Sequence, residues 1–318
     1  MLKPLLIVIF GVAASLCAAQ PFSIVILGDM PYGPPEKVYP PYERLIGAIN
    51  EAGPDLVIHV GDTKSGGSPC SDRRLAEQRA YLDRFEAPTL YTPGDNEWTD
   101  CHRAPAGGHD PRERLAHIRE TYFDTPAQSF GAHPVAVEHQ GAEGYPENVR
   151  LMMNDVMIVT AHVVGSNNGF APRDAATVQE HFERDAANRA WLRTGFAAAR
   201  AAGARALVLA IHGDMFEFGF GPPWDAEGFL GHSGFARFAR VLTEEASAFA
   251  RPVLLTYGDS HRFEMIRPFP RSAPGVMALE TFGARNMHAV HVRVTPGAGY
   301  PFSVQPLINP AQPLAPRP

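Results

Sequence analysis

The chain has 318 residues, 45% hydrophobic and 19% charged, which is enough apolar mass to bury a full core and excludes a disordered chain. A formal net charge of −6 leaves no clustered cationic face for a phosphate backbone, so general nucleic-acid binding is excluded. The three cysteines contain no Cys-x-x-Cys pair, which argues against a cysteine-held metal.

Residues 1–19 join Lys3 to the apolar run PLLIVIFGVAASLCAA and end in small residues before Gln20. That is the pattern of a signal peptide cleaved after Ala19, which predicts a periplasmic or secreted protein. The run has about 16 residues against the roughly 20 that span a bilayer, so no stable membrane span is expected; an uncleaved anchor is the alternative.

From there, short apolar runs alternate with amphipathic stretches, the order of an α/β protein. FSIVIL predicts a strand over 22–27 and is followed by a helix over 41–52 that closes on Gly53. A strand over 55–60 leads to a helix over 72–86, and a strand over 88–92 to a helix over 111–123. The last of these opens with Asp110 as N-cap, Pro111 in the first turn and Glu113 as capping-box partner. Segment 147–163 reads as two strands, 149–153 and 156–163, around a tight Asn154-Asp155 turn, which makes part of the sheet antiparallel. The helix over 176–202 carries a second box in Thr177 and Glu180 and ends at Gly203. Strands over 205–211 and 252–257 flank a helix over 234–249, and strands over 276–282, 288–295 and 301–307 complete the chain. The expected fold is α/β, with two mixed sheets packed face to face and helices outside. It forms one domain over 20–307, with a proline-spaced, unstructured tail over 308–318.

Five of these strands end alike. IVILGD stops at Asp29, VIHVGD at Asp62, LYTPGD at Asp95 with Asn96 following, LVLAIH at His212, and LLTYGD at Asp259 with His261 two residues on. In open α/β sheets the carboxyl ends of strands face a common crevice. Four carboxylates gathered there would repel and protonate unless cations neutralise them, and two divalent cations would do so. Such a pair about 3.5–4 Å apart activates water and holds phosphoryl oxygens, so hydrolysis at phosphorus fits best. A single Gly-Asp after a strand is ordinary turn chemistry; five in register are not. Cys70 and Cys101 follow Asp62 and Asp95 by eight and six residues, so a shared site would bring them close enough to bridge. Two separately buried thiols are the other reading.

The motifs GDMPY, GDTKSGGSPCSD and PGDNEWTDC, with the later His212 and GDSH, resemble the calcineurin-like metallophosphoesterase family, in an exported bacterial branch. The resemblance runs from 22 to about 295 and implies a four-layer α/β/β/α sandwich and a dimetal phosphoester hydrolase with a metal-bridging hydroxide. A small phosphorylated substrate is implied, a phosphomonoester ahead of a diester or pyrophosphate. It places Asp29 on the first metal, Asp62 between the metals, and Asp95, His212, Asp259 and His261 around the pair. Pro31 stands where the family has a metal-binding histidine, with Tyr32 beside it as a further candidate ligand. Asn96 stands at the family's general-acid histidine, so a leaving-group proton must come from His102 or His232, or the substrate must carry a good leaving group. Oxygen-rich ligands favour Mn or Mg, with Fe or Zn admissible.

Lys64 and Arg103 lie just past ligand positions, where a cation meets phosphate, although solvated loop charges are common there. Asn167 and Asn168 reach substrate from the loop after His162, whereas His59, His162, His288 and His291 read as packed strand residues. The aromatic run after His212 either covers the site or packs on the sheet. Two rival functions stand beside hydrolysis: a catalytically weak or inactive metal- or phosphate-binding module on the same fold, and a serine esterase with Ser260 as nucleophile.

Overall fold

The computed structural model describes residues 20–172, 174–217 and 226–313, with side chains for all of these but 226–233. Residues 1–19, where the sequence predicts a signal peptide, and residues 314–318 fall outside that range. Twelve strands form two sheets. The first has the order β12-β11-β1-β2-β3, built from β1 (Phe22–Leu27), β2 (Leu56–His59), β3 (Thr89–Tyr91), β11 (Ala289–Val294) and β12 (Phe302–Leu307). The second runs β4-β5-β6-β7-β8-β10-β9, from β4 (Glu138–Gln140), β5 (Tyr145–Met153), β6 (Val156–Thr160), β7 (Ala206–Ala210), β8 (Val253–Tyr257), β9 (Glu264–Ile266) and β10 (Val276–Glu280). Strands β1–β3 are mutually parallel, as are β6, β7, β8 and β10, while the remaining pairings are antiparallel.

Strand periodicity builds the layers. Ile24 and Ile26 of β1 face the second sheet, where they meet Ile158, Val208 and Leu254, while Val25 and Leu27 face outward to α1 (Pro35–Ala52). On the far side, Val159, Leu207, Leu209 and Leu255 pack under α5 (Ala175–Ala201), which follows the short helical turn α4 (Gly165–Asn168), and under α6 (Ala226–Phe249), against Trp191, Phe196 and Phe238. Helices α2 (Asp72–Leu82) and α3 (Pro111–Tyr122) close over Tyr91 and Trp98. Each fully buried large apolar side chain contributes about 1.5–3 kcal/mol, so every sheet face has a partner layer. The result is the four-layer α/β/β/α sandwich expected from the strand pattern.

Local endings depart from the sequence reading in three places. Helix α1 starts on Pro35, well before the Pro40-Pro41 pair, because the two carbonyls those prolines leave unbonded belong to exposed Glu36 and Lys37 and are met by water. Glu113 pairs with Arg114 instead of completing a capping box, although Asp110 caps α3 as expected. In α5 the cap is Asp174, which also accepts from the Thr177 hydroxyl at 2.6 Å, and Glu180 pairs with Arg184. The 154–155 hairpin turn has both residues at positive φ, as its twist requires. The tail begins docked: Asn309 is buried and its amide donates to the Pro41 carbonyl at 2.9 Å. No helix among the described residues is long and apolar enough to cross a membrane.

Candidate metal centre

Strands β1, β2 and β3 are neighbours in one sheet and β7 and β8 in the other, so their carboxyl ends meet at one edge of the sandwich. Asp29, Asp62, Asp259 and His261 all sit at positive φ, between 56° and 77°. Non-glycine residues pay for that conformation, and clustering of such residues at one place marks a site that turns side chains inward. The neighbouring glycines make room: a β-carbon at Gly94 would fall on the Asp62 carboxylate, and one at Gly258 on that of Asp29.

The side chains converge in two triads. Asp29, Asp62 and His212 form one and Asp95, His212 and Asp259 the other, each offering one ligand atom with all atoms of a triad within 4.8 Å. His212 Nε2 lies 3.1 Å from Asp95 Oδ1 and 3.3 Å from Asp62 Oδ1. Its Nδ1 is 2.7 Å from the Val60 carbonyl, which fixes Nδ1 as the protonated nitrogen of the neutral ring and turns Nε2 toward the acids. His261 joins from the rim, with Nε2 3.4 Å from Asp29 Oδ1. One imidazole nitrogen binds one cation, so His212, common to both triads, can serve only one of two cations, and joining them needs a carboxylate with its two oxygens.

Burial and crowding set the charge state. Burial first, then the neighbouring Asp95, Glu97 and Asp29, push the Asp62 carboxyl well above the usual carboxylate range. Asp259 is pushed up by burial and by Asp95 and Asp29. Burial opposes protonation of His212, yet Asp62, Asp95, Asp29 and Asp259 together raise it well above an ordinary imidazole. Three buried acids and the partly exposed Asp259 thus hold more negative charge than one buried imidazole can balance. Two hard divalent cations fit this donor set, restoring all the carboxylates to their charged form.

Around the acids, Tyr32 donates its hydroxyl to Asp62 Oδ2 at 2.6 Å and accepts from the Asn96 amide at 2.9 Å. Asn96 also bonds Asp62 directly, through its backbone N–H at 3.0 Å and through its side-chain amide. Glu97 is completely buried and accepts from the backbone N–H groups of Asp62, Thr63 and Gly94, and from the Thr63 hydroxyl at 2.7 Å. It ties the loop after β2 to the loop after β3. The Cys70–Cys101 disulfide, with a Cα separation of 5.7 Å, joins the same two loops, and both sulfurs lie 3.7 Å from the Asn96 carbonyl oxygen.

The cluster opens into a cavity of about 350 Å³ lined in part by Tyr32, Asn96, Asp100, Arg103, Ser166 and Asn167. Ser166 donates to Asp95 Oδ2 at 2.6 Å, and Arg103 pairs with Asp100 at 2.6 Å while half its side chain stays exposed. Of the two loop cations, only Arg103 faces the cavity. Lys64 is 1% exposed and its ammonium donates to the Ser65 and Ser68 carbonyls, both at 3.2 Å. Asn168 is also turned inward, accepting from Arg184 at 2.6 Å, while Asn167 lines the cavity and accepts from the Gly234 N–H at 3.1 Å. His102 lies outside this cavity, with Nδ1 2.7 Å from the Thr99 carbonyl. The side chain of His232 is outside the described residues. Ser260 donates to Asp214 at 2.6 Å, a carboxylate and not the imidazole base that the serine-esterase reading needs. From the aromatic run, Phe216 packs on Tyr257 and Phe269. Glu97, Asp100 and Ser166 escape the sequence reading, Glu97 although it directly follows the GDN motif.

Two facing sheets with helices outside and an aspartate-histidine cluster at the strand ends define the class: a metal-dependent phosphoesterase fold. Residues 22–195, more than half the chain, match the family described as calcineurin-like phosphoesterase, and the chain belongs to that family. Among solved structures, the purple acid phosphatase PPD1 from yellow lupin (Lupinus luteus) seeds shares 11% identity at a TM-score of 0.51, over 91% of this chain and 54% of that one. This chain therefore spans about half of the lupin protein's length. GAP50, the anchor in the inner membrane complex of Plasmodium, aligns at 10% identity and a TM-score of 0.48, over 91% of this chain and 89% of that one. TT1561 of Thermus thermophilus aligns at 10% identity and a TM-score of 0.44, over 90% of this chain and 98% of that one. A comparison with curated protein sequences finds no match.

Proposed function

We propose that the protein is an exported bacterial phosphomonoesterase, working in the periplasm or outside the cell, with Asp29, Asp62, Asp95, His212, Asp259 and His261 holding two divalent cations and Asp62 shared between them. The observation that carries this is the convergence of five separate strand ends into two triads that overlap at His212. When bound, the cations supply Lewis acidity toward the phosphoryl group and acidify water near neutral pH. Oxygen donors outnumber nitrogen donors four to two in the assigned set, which favours Mn or Mg. Asn96 and Tyr32 hold Asp62 in one orientation by hydrogen bonds. Arg103, at the cavity wall, receives the phosphoryl oxygens, its guanidinium kept in place by Asp100. Asp62→Ala tests the assignment: bound metal and p-nitrophenyl phosphate turnover are lost together, and turnover persisting without metal would refute it.

A second reading, a binding module without catalysis, draws on Asn96. Its amide is committed to Asp62 and Tyr32 and has no proton to give a leaving group. Metal loading without turnover on any phosphoester of a broad panel would favour it.

A further inference from the structure

A second cavity, of about 360 Å³, adjoins the first and shares Asp100, Arg103 and Ser166 with it as a common wall. Pro111, Phe170, Ala171 and Pro172 make the apolar part of its remaining lining, and His102, Asp174 and Thr177 a polar part. The Phe170 ring is supported from behind by His181 at 5.0 Å and Phe182 at 5.6 Å between centroids, and the Phe170 N–H donates to the Asn167 carbonyl at 3.0 Å. A fixed aromatic wall therefore lines the cavity that adjoins the phosphoryl cavity at Arg103. In the first cavity, Asn96 stands where the family resemblance expects a proton donor, and an amide cannot serve; His102, the other proton source the sequence offers among the described side chains, lines the second cavity with its Nδ1 2.7 Å from the Thr99 carbonyl. An alcohol with a pKa near that of a phenol, about 10, departs as an anion far more readily than one near the 15.7 of water, so an aryl ester depends least on a proton donor.

These two observations meet on one substrate class. We propose that the second cavity is the leaving-group subsite and takes the ring of an aryl phosphate monoester against Phe170, with Arg103 at the junction on the phosphoryl oxygens. The proposal rests on the phosphomonoesterase reading. In the reaction, the oxygen of water bonds to phosphorus as the P–O(aryl) bond breaks, and the bonding pair leaves on the aryl oxygen. The protons of water remain with phosphate and solvent, and the released aryloxide is protonated by solvent.

The test compares phenylphosphonate with methylphosphonate, neither of which can be hydrolysed at a P–O ester, by calorimetry on Mn-loaded mature protein, alongside kcat/KM for phenyl phosphate and ethyl phosphate. Ring contacts of the expected strength give phenylphosphonate an affinity about tenfold higher. Phe170→Ala, which removes the wall, and Ala171→Trp, which fills the cavity, each bring the ratio close to one. A ratio near one in the unaltered protein, or a preference that survives both variants, overturns the proposal. Preferential binding that both variants abolish, with no ester turned over, supports the subsite and refutes the phosphomonoesterase reading. Turnover with equal kcat/KM on phenyl and ethyl phosphate does the reverse.

Discussion

Glu97 offers the sharpest physical handle on the centre. It touches no substrate cavity, yet its two oxygens accept from three backbone N–H groups and one hydroxyl, all at the junction of the Asp62 and Asp95 loops. Glu97→Gln keeps the shape and replaces one accepting oxygen by an NH2 group. Pointed at Asp62 and Gly94, that NH2 opposes two buried N–H donors. Pointed at Thr63 it opposes one, because the threonine hydroxyl can rotate to accept. The second orientation is the cheaper, and it leaves one buried N–H unsatisfied at about 1–3 kcal/mol, plus the loss of charge assistance at the others. For a chain of this size, with about 2.1 cal/mol/K of unfolding entropy per residue, the melting temperature falls by about 1.5 °C per kcal/mol. Differential scanning calorimetry on the metal-loaded and metal-free protein, with Mn affinity by titration, reads both consequences. The expected result is a melting temperature lower by about 2–5 °C and weaker Mn binding, since the loop that carries Asp62 loses the anchor at the Thr63 N–H. A Glu97→Gln protein with unchanged melting and unchanged Mn affinity would refute the positioning argument.

Two other perturbations follow from the structure. Replacing both cysteines of the Cys70–Cys101 bridge, 31 residues apart, by serine destabilises the fold by about 3–4 kcal/mol on the chain-entropy account, measurable by urea unfolding. The double variant also binds Mn less tightly, because the bridge holds the two ligand loops together; an unchanged urea midpoint would contradict both points. At acid pH the buried pair His162 and Glu147, in contact at 2.8 Å, is one source of lost stability. Burial lowers His162 from 6.5 to about 4, against the pull of Glu147. The unfolded chain then binds a proton that the folded chain refuses, and stability falls as pH drops from 6.5 toward 4. Glu147 is lowered from 4.5 to about 2 despite its burial, by Arg119 and His162, which adds a further loss below pH 4.5. His162→Gln flattens the upper part of this profile, followed by chemical denaturation at a series of pH values; an unchanged slope between 6.5 and 4 would exclude His162 as the cause.

The layers and the convergence of the strand-end acids were legible because apolar strand periodicity and the Gly-Asp endings are local signals. Asp29, Asp62, Asp95, His212 and Asp259 each close an apolar run, and parallel pairing then brings those ends to one edge. Side-chain direction inside loops was not legible. Lys64 and Arg103 occupy equivalent places in the sequence, but the serine carbonyls after Lys64 draw its ammonium inward, while Asp100 holds Arg103 at the cavity. Asn167 and Asn168 are adjacent, and Arg184, sixteen residues away on α5, decides which of them is committed to the scaffold. Glu97 reads as one more loop acid until the fold brings three N–H groups onto it. Capping boxes failed at Glu113 and Glu180 because an arginine lies within reach of each.

Anomalous diffraction from a crystal of the Mn-loaded protein tests the central claim most directly. The account predicts two peaks about 3.5–4 Å apart, both within bonding distance of the Asp62 carboxylate, with Asp29 and His261 on one side and Asp95, His212 and Asp259 on the other. A single peak, or peaks away from these side chains, would contradict it.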